Sequence, residues 1–181
     1  MPDLARLGSR FDMQFRDLKG RQFYGRFAEV SEGNPTQVTP QKRLLRVHKD
    51  CALRSGDIVL DRAGLRYLLA DGPVAMGRGE IIKKTFRCIE LNRQLPWTRM
   101  DRQVDAVMNV SISAGTWTTL GQVWCQLEPR EERLERSSKV ASSYEKWKCY
   151  TNVALLLNDK IGMYSVTRSE TIAGVTVADV E

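Results

Sequence analysis

The stretch from Thr116 to Leu157 decides the fold. It reads TWTTLGQVWCQLEP (116–129), REERLERSSKVASSYE (130–145) and KWKCYTNVALLL (146–157). In the first piece Val123, Cys125 and Leu127 take every second position, with Gln122 and Trp124 facing the other way. That two-residue period marks a strand with one buried face. In the third piece Trp147, Cys149, Thr151, Val153, Leu155 and Leu157 share one face in the same manner. Arg130–Lys139 between them is charged and helix-compatible, and Pro129 suits a helix start. The stretch therefore reads strand, inserted helix, strand. It carries core patterning and almost no chemistry.

The alternation extends outward. Downstream, Asn158-Asp159 turns the chain, and Gly162–Val166 and Ile172–Val177 read as two short strands. Upstream, Met108, Val110 and Ile112 alternate with Asn109, Ser111 and Ser113. QLPWTRMDRQ (94–103) reads as irregular, since Pro96 breaks the run, with Trp97 pinning a loop to the body. EIIKKTFRCIEL (80–91) is a long strand, with Ile82, Phe86 and Cys88 on one face and Ile81, Lys83, Thr85 and Arg87 on the other. Before it come a strand at Leu44–His48, a tight turn at Arg54–Asp57, and a hairpin of Ile58–Leu60 with Leu65–Leu69. Gly64 supplies the left-handed residue that such a hairpin loop needs.

The N-terminus differs. Leu4, Leu7, Phe11, Phe15 and Leu18 fall at spacings of 3, 4, 4 and 3, which predicts an amphipathic helix. Its stripe either packs on the protein's own core or docks as an arm on a neighbouring subunit. GRQFYGRFAEV (20–30) reads as an extended strand. SEGNPTQVTPQ (31–41) is a loop and the natural boundary between an N-terminal arm with its linker, residues 1–40, and a β-barrel-like domain, residues 41–181. Together the elements predict a mainly β fold. It is a small β-barrel or sandwich of roughly eight short strands, with an N-terminal helix and one inserted helix. No internal repeat is evident.

Composition narrows the function classes. A 181-residue chain that is 42% hydrophobic and 28% charged is long enough for one domain with a real core, or a domain plus an arm. No apolar run approaches the ~20 residues that span a bilayer, and the first residues lack a signal-peptide apolar region. The expectation is no membrane partner, and work in the cytosol or in something assembled there. The net charge of +6 favours contact with a polyanion without naming one.

Catalytic motifs are missing. There is no GxxxxGK[ST] phosphate loop. The four cysteines, at 51, 88, 125 and 149, are scattered singly, and His48 is the only histidine. Zinc needs more ligands at closer spacing, so no metal and no cofactor is expected. A histidine-based triad would rest on His48 alone, without a placed nucleophile. Glu131-Glu132 is flanked by arginines and reads as a charge-balanced solvated face. The chain is therefore expected not to be an enzyme. Lys83, Lys84 and Arg87 near Phe86 form a candidate DNA-facing strand, the basis of the alternative of an all-β nucleic-acid-binding module. Against it, Phe86 faces inward by its alternation with Ile82, and stacking platforms usually show several aromatics.

The stretch WTTLGQVWCQLEPREERLERSSKVASSYEKWKCYTNVALLL resembles the front half of tailed-phage head–tail joining proteins, the head-closure or stopper subunits of the neck. Their loose pattern has a tryptophan, a strand reading V-W-A-x-I-E-P, a polar insert and a further strand. Trp117, Val123-Trp124, Leu127-Glu128-Pro129, the insert and Tyr150–Leu157 stand at those places. The family pattern continues with G-D-x-V and G-x-x-Y-x-V. A similar string, Ser55-Gly56-Asp57-Ile58-Val59 with Gly64 and Tyr67, lies here upstream of the matched half rather than after it. The resemblance covers about a third of the chain. It implies a small β-barrel assembled as a ring of six or twelve subunits, set between a portal or adaptor protein and a tail protein. Such a ring lines or closes the DNA channel of the virion and is assembled in the host cytoplasm. Adaptor, stopper and tail terminator remain open alternatives. Under this reading Leu4, Leu7, Phe11 and Phe15 dock the arm on a neighbouring subunit. The basic excess suits packaged DNA.

Overall fold

A computed structural model of the chain describes residues 13–29, 43–48, 50–76, 83–101, 115–129 and 146–181. Among them there are twelve strands and no helix. The first six are β1 (Met13–Asp17), β2 (Gln22–Glu29), β3 (Arg43–His48), β4 (Ile58–Leu60), β5 (Arg66–Met76) and β6 (Lys83–Leu91). They close an antiparallel barrel in the order β1-β2-β3-β6-β5-β4. The second six are β7 (Arg93–Asp101), β8 (Thr116–Pro129), β9 (Trp147–Thr151), β10 (Lys160–Ile161), β11 (Tyr164–Ile172) and β12 (Val175–Val180). They close another barrel in the order β7-β8-β9-β12-β11-β10. Numbered within itself, each barrel runs 1-2-3-6-5-4. Closure leaves neither barrel a free sheet edge. The chain divides into two compact units, Met1–Asn92 with Thr171–Val175, and Arg93–Glu170 with Thr176–Glu181.

Each barrel holds its own core, filled by the inward residues of alternating strands. In the first, Phe15, Leu45, Val59, Leu69 and Phe86 pack around Tyr67. Phe15 meets Phe27 edge-on at 5.1 Å, and Phe27 lies 4.8 Å from Tyr67, centroid to centroid. In the second, Val123, Cys125, Cys149, Ile161, Val166 and Val180 fill the interior. Full burial of each aliphatic side chain contributes about 1.5–3 kcal/mol.

The likeness of the barrels extends to register. Val59 pairs with Asp17 across the β1–β4 seam, and Ile161 pairs with Trp97 across the β7–β10 seam. Moving round from there, Phe15 pairs with Phe23 and Leu95 with Val123. Phe27 pairs with Leu45 and Leu127 with Cys149. Leu45 pairs with Phe86 and Cys149 with Ala178. The circuit ends where Leu68 pairs with Ile89, and where Ser165 and Glu181 exchange both backbone bonds, at 2.8 and 3.1 Å. Each of these pairs in the first barrel has its counterpart in the second. The chain therefore contains a structural repeat that its sequence marks only in one short string.

Several expectations change. Among the described residues the N-terminal helix is not formed: Met13–Asp17 is a strand with Phe15 and Asp17 facing inward. Phe15 satisfies both the helical and the two-residue period. Ladder bonds to β2 on one side and β4 on the other decide for the strand, since intrinsic helix preference is a weak influence beside tertiary pairing. Leu4, Leu7 and Phe11, the alternating run 108–112 and the inserted helix over Arg130–Lys139 lie outside the described residues. Arg93–Asp101 is a full strand despite Pro96. Proline lacks only the N–H, and the Pro96 carbonyl still accepts from Gly162 N at 2.8 Å. Strand β9 ends at Thr151, so Leu157 does not share the buried face and is 63% exposed. Strands β1 and β2, within residues 1–40, belong to the first barrel.

Candidate functional site

The most elaborate polar construction lies in the turn before the fourth strand of each barrel. In the first, Arg54 N donates to Asp57 Oδ2 at 2.8 Å, and Asp57 N donates to the Arg54 carbonyl at 3.2 Å. Gly56 N donates to the Leu69 carbonyl at 2.8 Å, and Leu69 N to the Asp57 carbonyl at 2.9 Å. In the second, Leu156 N donates to Asp159 Oδ2 at 2.9 Å, and Asp159 N to the Leu156 carbonyl at 3.1 Å. Asn158 N donates to the Val166 carbonyl at 2.9 Å, and Val166 N to the Asp159 carbonyl at 2.8 Å. The four bonds are the same four. Gly56 and Asn158 both take positive φ, +87° and +67°, the backbone conformation this turn demands. Asparagine is among the few residues with a side chain that enter it readily.

The two turns differ in their aspartates. Asp57 is half-buried, whereas the Asp159 side chain is 1% exposed. Asp159 accepts from Arg99 Nε and Nη2, both at 2.8 Å, and from Trp97 Nε1 at 3.0 Å. Burial alone would raise its pKa. The hydrogen bonds from Arg99, Leu156 N and Trp97, with the Arg99 charge, outweigh it and hold the carboxyl below its ordinary value. A carboxylate with four donors, kept ionised by a guanidinium, is an anchor and is badly placed to act as a general base.

The residues singled out in the sequence do not converge on one site. Phe15 is 1% exposed and faces its own barrel. Lys83 and Arg87 are exposed on one side of β6. Lys84 has the opposite parity, and its Nζ donates to the Cys51 carbonyl at 2.8 Å. His48 is half-exposed beside Asp50, with 3.2 Å between Nδ1 and Oδ2. Tyr67, buried, donates to Asp61 at 3.4 Å and accepts from Arg43 at 3.3 Å. Burial and the Asp61 charge push its hydroxyl up to about 12. Among the described residues no group of three or more His, Cys, Asp and Glu is arranged to hold a metal ion.

Sequence reasoning missed the Asp159 anchor and the pairing of the two turns. The available signal was Ala52-Leu53-x-x-Gly56-Asp57 against Ala154-Leu155-x-x-Asn158-Asp159. Leu53 and Leu155 are both buried. Compared with protein-family models, with curated proteins and with solved structures, the chain matches none of them.

Proposed function

We propose that the chain is a structural virion protein of a tailed-phage neck, assembling as a ring of six or twelve subunits between a portal or adaptor protein and a tail protein. In that position it lines or closes the DNA channel. One observation carries the reading. In the neck pattern, the half resembling Thr116–Leu157 is followed by G-D-x-V and then a tyrosine strand. Asn158-Asp159-Lys160-Ile161, with Gly162, Tyr164 and Val166, follows that half here. It occupies the places that Gly56-Asp57-Ile58-Val59, Tyr67 and Leu69 hold in the first barrel. The upstream Gly-Asp string thus has a counterpart in β7–β12. There Asp159 and Tyr164-x-Val166 follow in the pattern's order, while Asn158, Ile161 and the shorter Gly162-x-Tyr164 spacing depart from it.

Negative-stain electron microscopy of the full chain, alone and with portal rings, tests the proposal. Rings, or axial docking on the portal, are expected. A monomer that ignores portal rings would overturn it. Removing residues 1–12 tests docking through Leu4, Leu7 and Phe11, and rings that persist unchanged would exclude that role. The second reading, an all-β nucleic-acid-binding module, is favoured by the exposure of Lys83 and Arg87 on one side of β6. A monomer that binds short oligonucleotides would select it.

A further inference from the structure

Register places a basic field on the outward side of β2, β3 and β6. Arg26 and Arg46 are direct cross-strand partners, and both are exposed. One step along, His48 pairs with Lys83, and one step the other way Leu44 pairs with Arg87. Both Lys83 and Arg87 are exposed. Like charges directly opposite one another on a sheet are unfavourable. Among the described residues neither Arg26 nor Arg46 has an ion-pair partner. At the outward positions of these three strands there is no Asp or Glu among the described residues.

The second barrel supplies an internal comparison. Counterparts follow from the register: Gln126 stands for Arg26, Tyr150 for Arg46, Lys148 for Leu44 and Asp179 for Arg87. The exposed Tyr24 has Trp124 as counterpart, so an outward aromatic is common to both faces and cannot be what distinguishes them. The same barrel surface is basic in one copy and charge-balanced in the other, where Lys148 and Asp179 are direct cross-strand partners. Barrel closure does not require the arginines, since the second barrel closes without them.

We propose that the outward face of β2, β3 and β6, centred on Arg26 and Arg46, binds the phosphate backbone of double-stranded nucleic acid, and that the matching face of the second barrel does not. Paired guanidinium groups on a rigid sheet suit phosphate oxygens, and such contacts position a protein on a duplex without reading its sequence. The identity of the duplex as packaged DNA rests on the neck reading; the binding itself does not.

The test is fluorescence anisotropy of a short DNA duplex with the full chain over a range of salt concentrations. The variant is Arg26→Gln with Arg46→Tyr, the residues that the second barrel carries at those places. Wild-type binding is expected to weaken steeply with salt. The variant is expected to bind about tenfold or more weakly at low salt, with a log–log salt slope shallower by about 1.8, the release of two counterions. Lys148→Gln on the matching face of the second barrel is expected to change neither. If the double variant does not fold, as judged by its melting curve, Lys83→Gln replaces it, with an expected slope change of about 0.9. An unchanged slope in a folded variant would overturn the proposal, as would wild-type protein that ignores the duplex. Retention on polyglutamate but not on DNA would overturn it in favour of an acidic protein partner. Duplex binding without rings overturns the neck reading alone, and rings that ignore DNA overturn this inference alone.

Discussion

Arg99 holds Asp159 with two parallel hydrogen bonds, Nε to Oδ1 and Nη2 to Oδ2, each 2.8 Å long. The pair ties β7 to the turn before β10. The strands themselves meet in only two residue pairs, Trp97 with Ile161 and Thr98 with Lys160. A seam that short gains little from its ladder, so the charged fork and the Trp97 indole bond carry much of the closure of the second barrel. The first barrel has an equally short seam, Arg16 with Leu60 and Asp17 with Val59. There Asp17 occupies the place of Trp97. It is engaged instead by Lys19 N at 2.9 Å and by Arg21 N and Nε at 2.8 and 2.6 Å.

Asp159→Ala is therefore expected to cost far more than Asp57→Ala. Removing one partner of a buried pair costs about 3–5 kcal/mol, reduced here to about 2–4 because Arg99 is a third exposed and regains water. Asp57→Ala removes one exposed turn bond and should cost about 1 kcal/mol. Urea unfolding of the two full-length variants measures the difference. Equal losses would show that the Arg99 fork does not hold the seam.

The anchor also fixes a pH dependence. The Asp159 carboxyl is held below its ordinary value, so the folded state binds its proton less readily than the unfolded chain does. The stability this provides is fully present above about pH 4, the unfolded value, and is lost as pH falls through the folded value. Wild type and Asp159→Asn should differ most near neutrality and converge in acid. Denaturant midpoints at pH 7, 4 and 3 check it, and a gap that widens on acidification would contradict the assigned direction.

Strands were legible where alternation and glycine agreed. Val123, Cys125 and Leu127 marked β8, and Gly64 marked the β4–β5 hairpin. Strand β7 was hidden by Pro96, whose missing N–H costs a ladder bond only where one is needed. The repeat was hidden for two reasons. The connection from β4 to β5, Asp61–Leu65, is longer than Gly162–Met163, which shifts the letters out of step. Core volume is also distributed differently: Phe27, Leu45 and Phe86 face the places of Leu127, Cys149 and Ala178. A barrel core tolerates such exchanges when neighbours compensate, as Trp97, Trp147 and Tyr164 do in the second barrel. The Asp159 anchor was invisible because Arg99 is sixty positions away.

Asn158 gives a backbone test. At φ +67° a side chain with a Cβ is strained, and asparagine is a compromise that its counterpart Gly56 avoids. Asn158→Gly should be neutral or slightly stabilising, while Asn158→Ala should cost about 1 kcal/mol. Thermal melts of the two variants distinguish them. Equal stability would mean that the turn relaxes out of the left-handed region.

The thiols should be nearly silent in the native protein. Cys88, Cys125 and Cys149 are buried and Cys51 is half-buried. Burial pushes the Cys88 thiol up to about 12. The hydrogen bond with Cys125, together with burial, holds the Cys149 thiol well above its ordinary value. Only the thiolate reacts with a disulfide reagent. The Cys125 thiol is held below its ordinary value by its hydrogen bond with Cys149, but it is 0% exposed, so exclusion of the reagent keeps it silent. At pH 8 at most Cys51 should react, and slowly, because burial raises its pKa. All four should react in denaturant. Fast native labelling of two or more would contradict the closed cores.

Phe15 separates an arm from a core. A helical stripe would place Phe15 and Leu18 on one docking face, but Phe15 is 1% exposed and Leu18 is 62% exposed. Phe15 lies 5.7 Å from Phe23 and 5.1 Å from Phe27, between ring centroids, inside the first barrel. Phe15→Ala should cost about 3–5 kcal/mol through the lost contacts and the cavity left behind. Leu18→Ala should stay within about 0.5 kcal/mol. Both are measured by urea unfolding at concentrations where the chain is monomeric, which separates folding from assembly. A Phe15→Ala variant that keeps full monomer stability while self-association of the wild-type chain is lost would return Phe15 to the docking surface.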